Sequence, residues 1–256
     1  MGNEVKVFWK DKEISLFPEG AAEIDNNLVL ADLHLGYEGV AASSGLFVPK
    51  VMLKEAMEKI KMLKKRKNFE KLIICGDLKH EFSELHPAEW KDIQKFLEFL
   101  KENFEKIIVV RGNHDNFLKI LLKKENIDYF EDCFWENDVV YMHGDKIPKD
   151  LDLESESKLV VMGHEHPAMM IRDSLGVSFK TPCFLFGQNV LVLPAFSSIF
   201  SGADIISMPK NAYLSPLLRQ KDVDKMKVFA CLDDEILEFP ELRKIKEFSL
   251  KDGFEL

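Results

Sequence analysis

No run of about 18 consecutive apolar residues occurs in the 256-residue chain, so no membrane-spanning helix is expected. The opening residues, MGNEVKVFWKDKEISLF, set charges where a secretory leader requires an unbroken apolar stretch. Cysteine is scarce: Cys75, Cys133, Cys183 and Cys231 lie far apart and form no CxxC pair. Cys75 and Cys231 fall in apolar, strand-like runs, which suits buried reduced thiols. These absences lead to the expectation of a cytoplasmic protein, and a chain of this length can bury a substantial core without disulfides. Positive charge is in deficit, with 35 Lys and Arg against 44 Asp and Glu for a formal net charge of −9. That argues against a broadly basic nucleic-acid-binding surface, but not against nucleic acid in a local cleft where bound divalent ions add positive charge. The one basic run, residues 59–67 (KIKMLKKRK), suits either a solvated helix end or a phosphate-contacting patch. Internal repeats, low-complexity segments and a linker are all missing, so one domain over residues 1–256 is expected.

What the chain does contain is an alternation of short β-rich and helical runs, the mark of an α/β architecture. Residues 5–8 and 14–17, parted by a charged turn, predict a hairpin. Residues 28–31 predict a strand running into Asp32. Pro49 is expected to open a helix reaching about residue 65, with Val51, Leu53, Met57, Ile60 and Leu63 at helical spacing. Strands at 72–75 and 107–110 end at Gly76-Asp77 and Arg111-Gly112-Asn113, and between them a helix begins at His86-Pro87. His86 is given no chemistry. The same unit recurs at 138–142, leading into His143, and at 158–162, leading into Gly163-His164. Because open α/β sheets bind ligands beyond the carboxyl ends of their strands, these motifs should meet along one edge. Beyond His166, short β-rich runs at 169–172, 177–180, 183–186, 190–193 and 227–232 predict a second sheet. Residues 202–224 show no clear period and read as an irregular insertion bordering the site.

The strand ends carry five of the seven histidines, in four motifs: Asp32-Leu33-His34, Gly112-Asn113-His114-Asp115, His143-Gly144-Asp145 and Gly163-His164-Glu165-His166. Gly76-Asp77 supplies a further carboxylate. Asp-x-His on a strand end is expected to put both side chains on one face, because strand side chains alternate with a period of two, so that a carboxylate and an imidazole can grip one ion. The same spacing presents His164 and His166 together and turns Glu165 away. A lone histidine is ordinarily a satisfied core or surface residue, so it is the ordered series that signals a site. The donors are imidazole, carboxylate and carboxamide without thiolate, which fits Mn, Fe, Zn or Ni better than Ca or Mg alone, and does not resemble a closed structural zinc site. A shared carboxylate, most simply Asp77, would hold two ions roughly 3.5–4 Å apart, where a bridging water can ionise near neutral pH and attack phosphorus in line.

With these residues in place, the chain resembles the calcineurin-like metallophosphoesterases, whose ordered pattern D-x-H, G-D, G-N-H-[DE], H and G-H-x-H is complete between Asp32 and His166. The resemblance implies a four-layer α-β-β-α sandwich with two packed mixed sheets. It implies one metal site of Asp32, His34, Asp77 and His166 and another of Asp77, Asn113, His143 and His164. His114 would contact phosphate and protonate the leaving group, with Asp115 orienting it. The segments LVLADLHLGYE, ICGDLKHEF, VRGNHD, MGHEHP and LVLPAFSSIFSGADI are similar to a prokaryotic, often archaeal, ICC-like branch, some members of which are associated with Lhr-type helicases and DNA ligases.

Four further residues stay open between substrate contact, support behind the ligands and a plain structural role: Lys79, His80, Arg111 and Asp145. The apolar run 196–200 is open between core and an interface in a homo-oligomer. The leading expectation is a phosphodiesterase or nuclease using two divalent ions, manganese first, on single-stranded or structured nucleic acid, with a helicase as a candidate partner and no membrane. A phosphatase or pyrophosphatase on small nucleotides is the alternative. A non-catalytic scaffold of the same fold is the second alternative, opposed by a complete ligand series.

Overall fold

The computed structural model describes residues 3–82, 87–153, 155, 157–172, 177–200 and 202–252, so His86 lies outside the described residues. Strict two-residue alternation in the strands sets the layering. The first sheet runs β1 (Val5–Trp9), β2 (Lys12–Phe17), β3 (Ala21–Ile24), β4 (Asn27–Leu30), β5 (Lys71–Cys75), β6 (Lys106–Val110) and β7 (Asp128–Phe130) in spatial order. β1 to β4 form an antiparallel meander, and β4 to β7 are parallel. Along β4, β5 and β6 one set of side chains (Leu28, Leu30, Leu72, Ile74, Ile107, Val109) faces the helices. The alternate set (Val29, Ile73, Cys75, Ile108, Val110) faces a second sheet. Both faces are buried, so these strands read as continuous apolar runs rather than alternating ones.

The parallel crossovers supply the outer helices α1 (Tyr37–Ser43), α2 (Met52–Arg66), α3 (Pro87–Asn103) and α4 (Leu118–Lys124). The second sheet contains β8 (Cys133–Glu136), β9 (Val139–Met142), β10 (Leu159–Met162), β11 (Pro167–Arg172), β12 (Ser178–Gly187), β13 (Val190–Val192), β14 (Ala203–Asp204), β15 (Lys227–Leu232) and β16 (Glu235–Glu241). Its order is β14-β11-β12-β13-β10-β9-β8, with β15 and β16 branching from β12. Val139, Tyr141, Leu159 and Val161 pack inward against the first sheet, and Val140, Met142, Val160 and Met162 pack outward, against a core that includes residues of α5 (Pro216–Gln220) and α6 (Leu242–Asp252). The result is the four-layer sandwich of two mixed sheets. Among the described residues no helix is long and apolar enough to cross a membrane.

Several local expectations need correction. The second helix starts at Met52 rather than Pro49, because its cap is tertiary: buried Glu38 of α1 accepts from the amides of Val51 and Met52 at 2.9 and 2.7 Å. The runs 177–180 and 183–186 are one strand, β12. Pro182 lacks an N–H, and there the strand changes partner, from β11 to β13 and β15. The basic run 59–67 ties α2 to its surroundings: Lys59 donates to the Phe196 carbonyl at 2.8 Å, Lys64 to that of Asn103, Arg66 pairs with Glu19 and Lys67 with Glu23. Cys75, Cys183 and Cys231 are buried thiols. Residues 202–224 fold as β14, α5 and short 3-10 turns.

The Glu38 cap makes a direct prediction. Glu38→Ala leaves two amides at the start of α2 without acceptors and should cost about 1–3 kcal/mol, read as a lower urea midpoint at unchanged slope.

Candidate metal centre

The carboxyl ends of β4, β5 and β6 in one sheet and of β9 and β10 in the other meet at one point, and every motif residue follows one of these strands. Convergence is not achieved by the pleat. Asp32 and His34 lie beyond β4 and take left-handed backbone angles, φ 58° and 48°, as do Asp77 (52°), His164 (70°) and His166 (45°). Aspartate and histidine tolerate this region better than most side chains, and strain of this kind gathers at functional sites. Backbone bonds lock the turns together. The Asp32 amide donates to the Gly76 carbonyl at 3.1 Å and the His34 amide to that of Asp77 at 2.9 Å.

Two donor groups result, each with ligand atoms within 4.8 Å of one another: Asp32, His34 and His166, and Asp77, His143 and His164. In the first, His166 Nε2 stands 3.3 Å from both His34 Nε2 and Asp32 Oδ1. In the second, His143 Nε2 lies 3.4 Å from Asp77 Oδ2, 2.9 Å from Asn113 Oδ1 and 3.1 Å from His164 Nδ1. Asp77 Oδ2 also stands 3.8 Å from His34 Nε2, so one carboxylate sits between the groups. The remaining oxygens are fixed by backbone: His164 N donates to Asp32 Oδ2 and His114 N to Asp77 Oδ1, both at 2.9 Å.

These residues fit divalent cations. Asp32 Oδ1 is buried and accepts no hydrogen bond, although an ionised carboxylate away from water needs compensation. A Cβ on Gly112 would fall on the Asp77 carboxylate, and one on Gly76 on the His143 ring, so glycine is what permits the close approach. Burial alone would raise Asp77, but the hydrogen bond and charge of His143 outweigh it and hold the carboxyl well below its ordinary value. Burial pushes His34 down to about 3 and His164 to about 4, leaving both imidazoles neutral and able to coordinate.

His114 Nδ1 donates to the His80 carbonyl, which leaves Nε2 directed toward Asp77 Oδ2 at 3.9 Å. The sequence reading gave that orienting task to Asp115. Its oxygens instead accept from Gly112 N at 2.9 Å and Lys79 N at 3.2 Å, so it holds the turn while a backbone carbonyl holds the ring. Burial, then the charge of Asp77, raises the Asp115 carboxyl to about 6. Lys79 is fully buried and its ammonium donates to the Glu81 carbonyl, so it is not among the residues lining the cleft. His80 stacks near His114, centroids 5.6 Å apart, and groups with His34 and His114. Arg111 stands at the margin, bonded to Asn116 Oδ1 at 2.7 Å. Asp145 lies close enough for its charge to act on His164. Glu165 turns away, accepting from Leu214 N and Ser215 N at 3.0 Å. The sequence reading missed Tyr37 and Phe200, which line the cleft, because aromatic residues carry no spacing signal of their own.

A family model of calcineurin-like phosphoesterases matches residues 27–202, which hold every motif above. The chain belongs to the calcineurin-like phosphoesterases. Among solved structures, this phosphoesterase is similar to the nuclease MPE of Pseudomonas putida, with a TM-score of 0.66 and 20% identity over 93% of this chain and 100% of that one. The E. coli phosphoesterase Yfce matches with a TM-score of 0.40 and 17% identity over 84% and 98% of the respective chains. The first likeness is one of fold. No curated protein matches significantly.

Gly112→Ala should push Asp77 out of place and lower the bound Mn²⁺ of the purified protein, measured by calorimetric titration. Undiminished Mn²⁺ binding in this variant would contradict the cradle.

Proposed function

We propose that this phosphoesterase hydrolyses phosphodiesters, acting as a nuclease on single-stranded or structured nucleic acid with two divalent cations. The observation that carries the reading is the position of Asp77, whose Oδ2 lies 3.8 Å from one imidazole group and 3.4 Å from the other. Asp32, His34, Asp77 and His166 would hold one cation, and Asp77, Asn113, His143 and His164 the other. Manganese is our first choice, with Fe, Zn and Ni compatible with the same donors. The bound cations would supply Lewis-acid polarisation of the phosphoryl oxygens and ionise water near neutral pH.

The chain's own residues do the rest. His114 is anchored through Nδ1–H, so Nε2 faces the cleft and, in the imidazolium form, would donate a hydrogen bond to a phosphoryl oxygen and pass its proton to the departing one, leaving a neutral ring. The His80 carbonyl keeps that ring in place, and Asp115 holds the adjoining backbone through the amides of Lys79 and Gly112. That the structurally similar Pseudomonas putida protein of comparable length is a nuclease supports the diester choice over a phosphatase or pyrophosphatase. A helicase partner and membership of the ICC-like branch rest on sequence likeness and belong to the same proposal. A scaffold role would leave the strained, glycine-dependent cradle without a purpose.

Purified protein should hydrolyse bis-p-nitrophenyl phosphate after addition of Mn²⁺ and stop on chelation; no turnover of any phosphoester with any divalent ion would refute the reading. His114→Ala should keep its metals and lose about 10²- to 10⁴-fold in kcat on esters with poor leaving groups. Asp77→Ala should lose both activity and metal stoichiometry.

A further inference from the structure

We infer that the cleft beside the metal centre seats an unpaired nucleobase on an aromatic platform formed by Phe200 and Tyr37 and continued at the rim by Phe82. The inference rests on the phosphodiesterase reading and narrows its substrate to single-stranded nucleic acid.

Three observations carry it. First, among the described residues that line the cleft, none is Lys or Arg. A rigid duplex brings phosphates of both strands toward the protein and keeps its bases stacked inside, and a polyphosphate needs a counter-charge for each phosphate beyond the reacting one. A flexible single strand can instead turn its flanking phosphates to solvent and present a bare base. This cleft provides for one phosphate at the metal donors and for little charge elsewhere. Second, the wall beyond those donors is largely aromatic and apolar, with Tyr37, Ile199, Phe200, Ala203 and Leu214, and its one acid, Glu165, is buried and taken up by the Leu214 and Ser215 amides. The Phe200 ring lies 4.6 Å from that of His34 and 5.5 Å from that of His80, the latter nearly parallel at 24°, and Tyr37 meets it at 5.4 Å. On the other side of His114, Phe82 stands edge-on at 5.0 Å and is 50% exposed. Third, the platform is anchored. On one side of Phe200, Ser197 N donates to the Asp32 carbonyl at 3.3 Å; on the other, Ala203 N donates to the His166 carbonyl at 2.9 Å. The backbone on either side of Phe200 is thereby bonded to the two turns that carry Asp32 and His166.

A nucleobase matches these walls because it is flat, uncharged and covalently close to the phosphate. Stacking of one base on an aromatic side chain changes affinity roughly five- to a hundredfold and is tolerant of sequence. An alkyl chain would fill the same space without needing a flat ring, which gives the test its control.

The test compares three p-nitrophenyl phosphodiesters in Mn²⁺, whose second ester group is thymidine 5′-yl, methyl or hexyl. Phe200→Ala should lower the ratio of kcat/KM for thymidine over methyl about tenfold, mainly through KM, and Phe200→Trp should restore it. Fluorescence anisotropy with methylphosphonate-linked oligo(dT), which is uncharged and not cleaved, should show weaker binding to Phe200→Ala by a similar factor. The platform is overturned if the thymidine-to-methyl ratio is unchanged, or if the hexyl-to-methyl ratio falls as far. Failure of the wild type to hydrolyse any of the three esters would instead overturn the underlying phosphodiesterase reading.

Discussion

Two ionised carboxylates held almost out of reach of water set the terms for this molecule. Asp32 is 0% and Asp77 2% exposed, and buried charges persist only where opposite charge and hydrogen bonds compensate them. Each carboxylate spends one oxygen on a backbone amide of another motif, Asp32 on His164 and Asp77 on His114. Asp32 thereby joins the end of β4 to the end of β10 across the two sheets, and Asp77 joins β5 to the turn after β6. The other oxygens face imidazoles. The glycines at 76 and 112 and the left-handed turns at five donor residues follow from this requirement, since only a close approach brings enough donors around two anions.

The same constraint shapes the cleft. With local charge concentrated in the donor residues, the remaining walls need little charge: among the described residues they are aromatic and apolar apart from buried Glu165, whose carboxylate accepts from the Leu214 and Ser215 amides. Cations that elsewhere would track a phosphate backbone are committed to the fold here. The basic residues at the end of α2 bind Glu19, Glu23 and backbone carbonyls, and Lys79 is buried against Glu81.

The architecture was legible from the sequence where apolar runs ended in polar motifs. β4, β5, β6, β9 and β10 are buried on both faces, and their Val, Ile and Leu content announces them. Elements whose formation depends on partners were not legible: α1 and α4 are only seven residues long, and α2 begins where the distant Glu38 caps it. The donors were legible by type and order, yet the reason offered for their convergence, alternation along a strand, was wrong at Asp32 and His34. Left-handed turns bring them together, and sequence carries no reliable mark of such turns outside glycine. His80 as the anchor of His114 was equally hidden, because the group that acts is a backbone carbonyl.

The sequence by itself determined which chemistry is available, since side-chain type and motif order fix the donor set, and its apolar runs marked an α/β architecture with a second sheet, while the four-layer sandwich came from the family resemblance. Only the tertiary structure decided the distances among the donors, with Asp77 Oδ2 3.8 Å from His34 and 3.4 Å from His143, and that Tyr37, Phe82 and Phe200 lie near them. Those outcomes depend on distances between segments remote in the chain, set by packing two sheets face to face, and no local pattern encodes them.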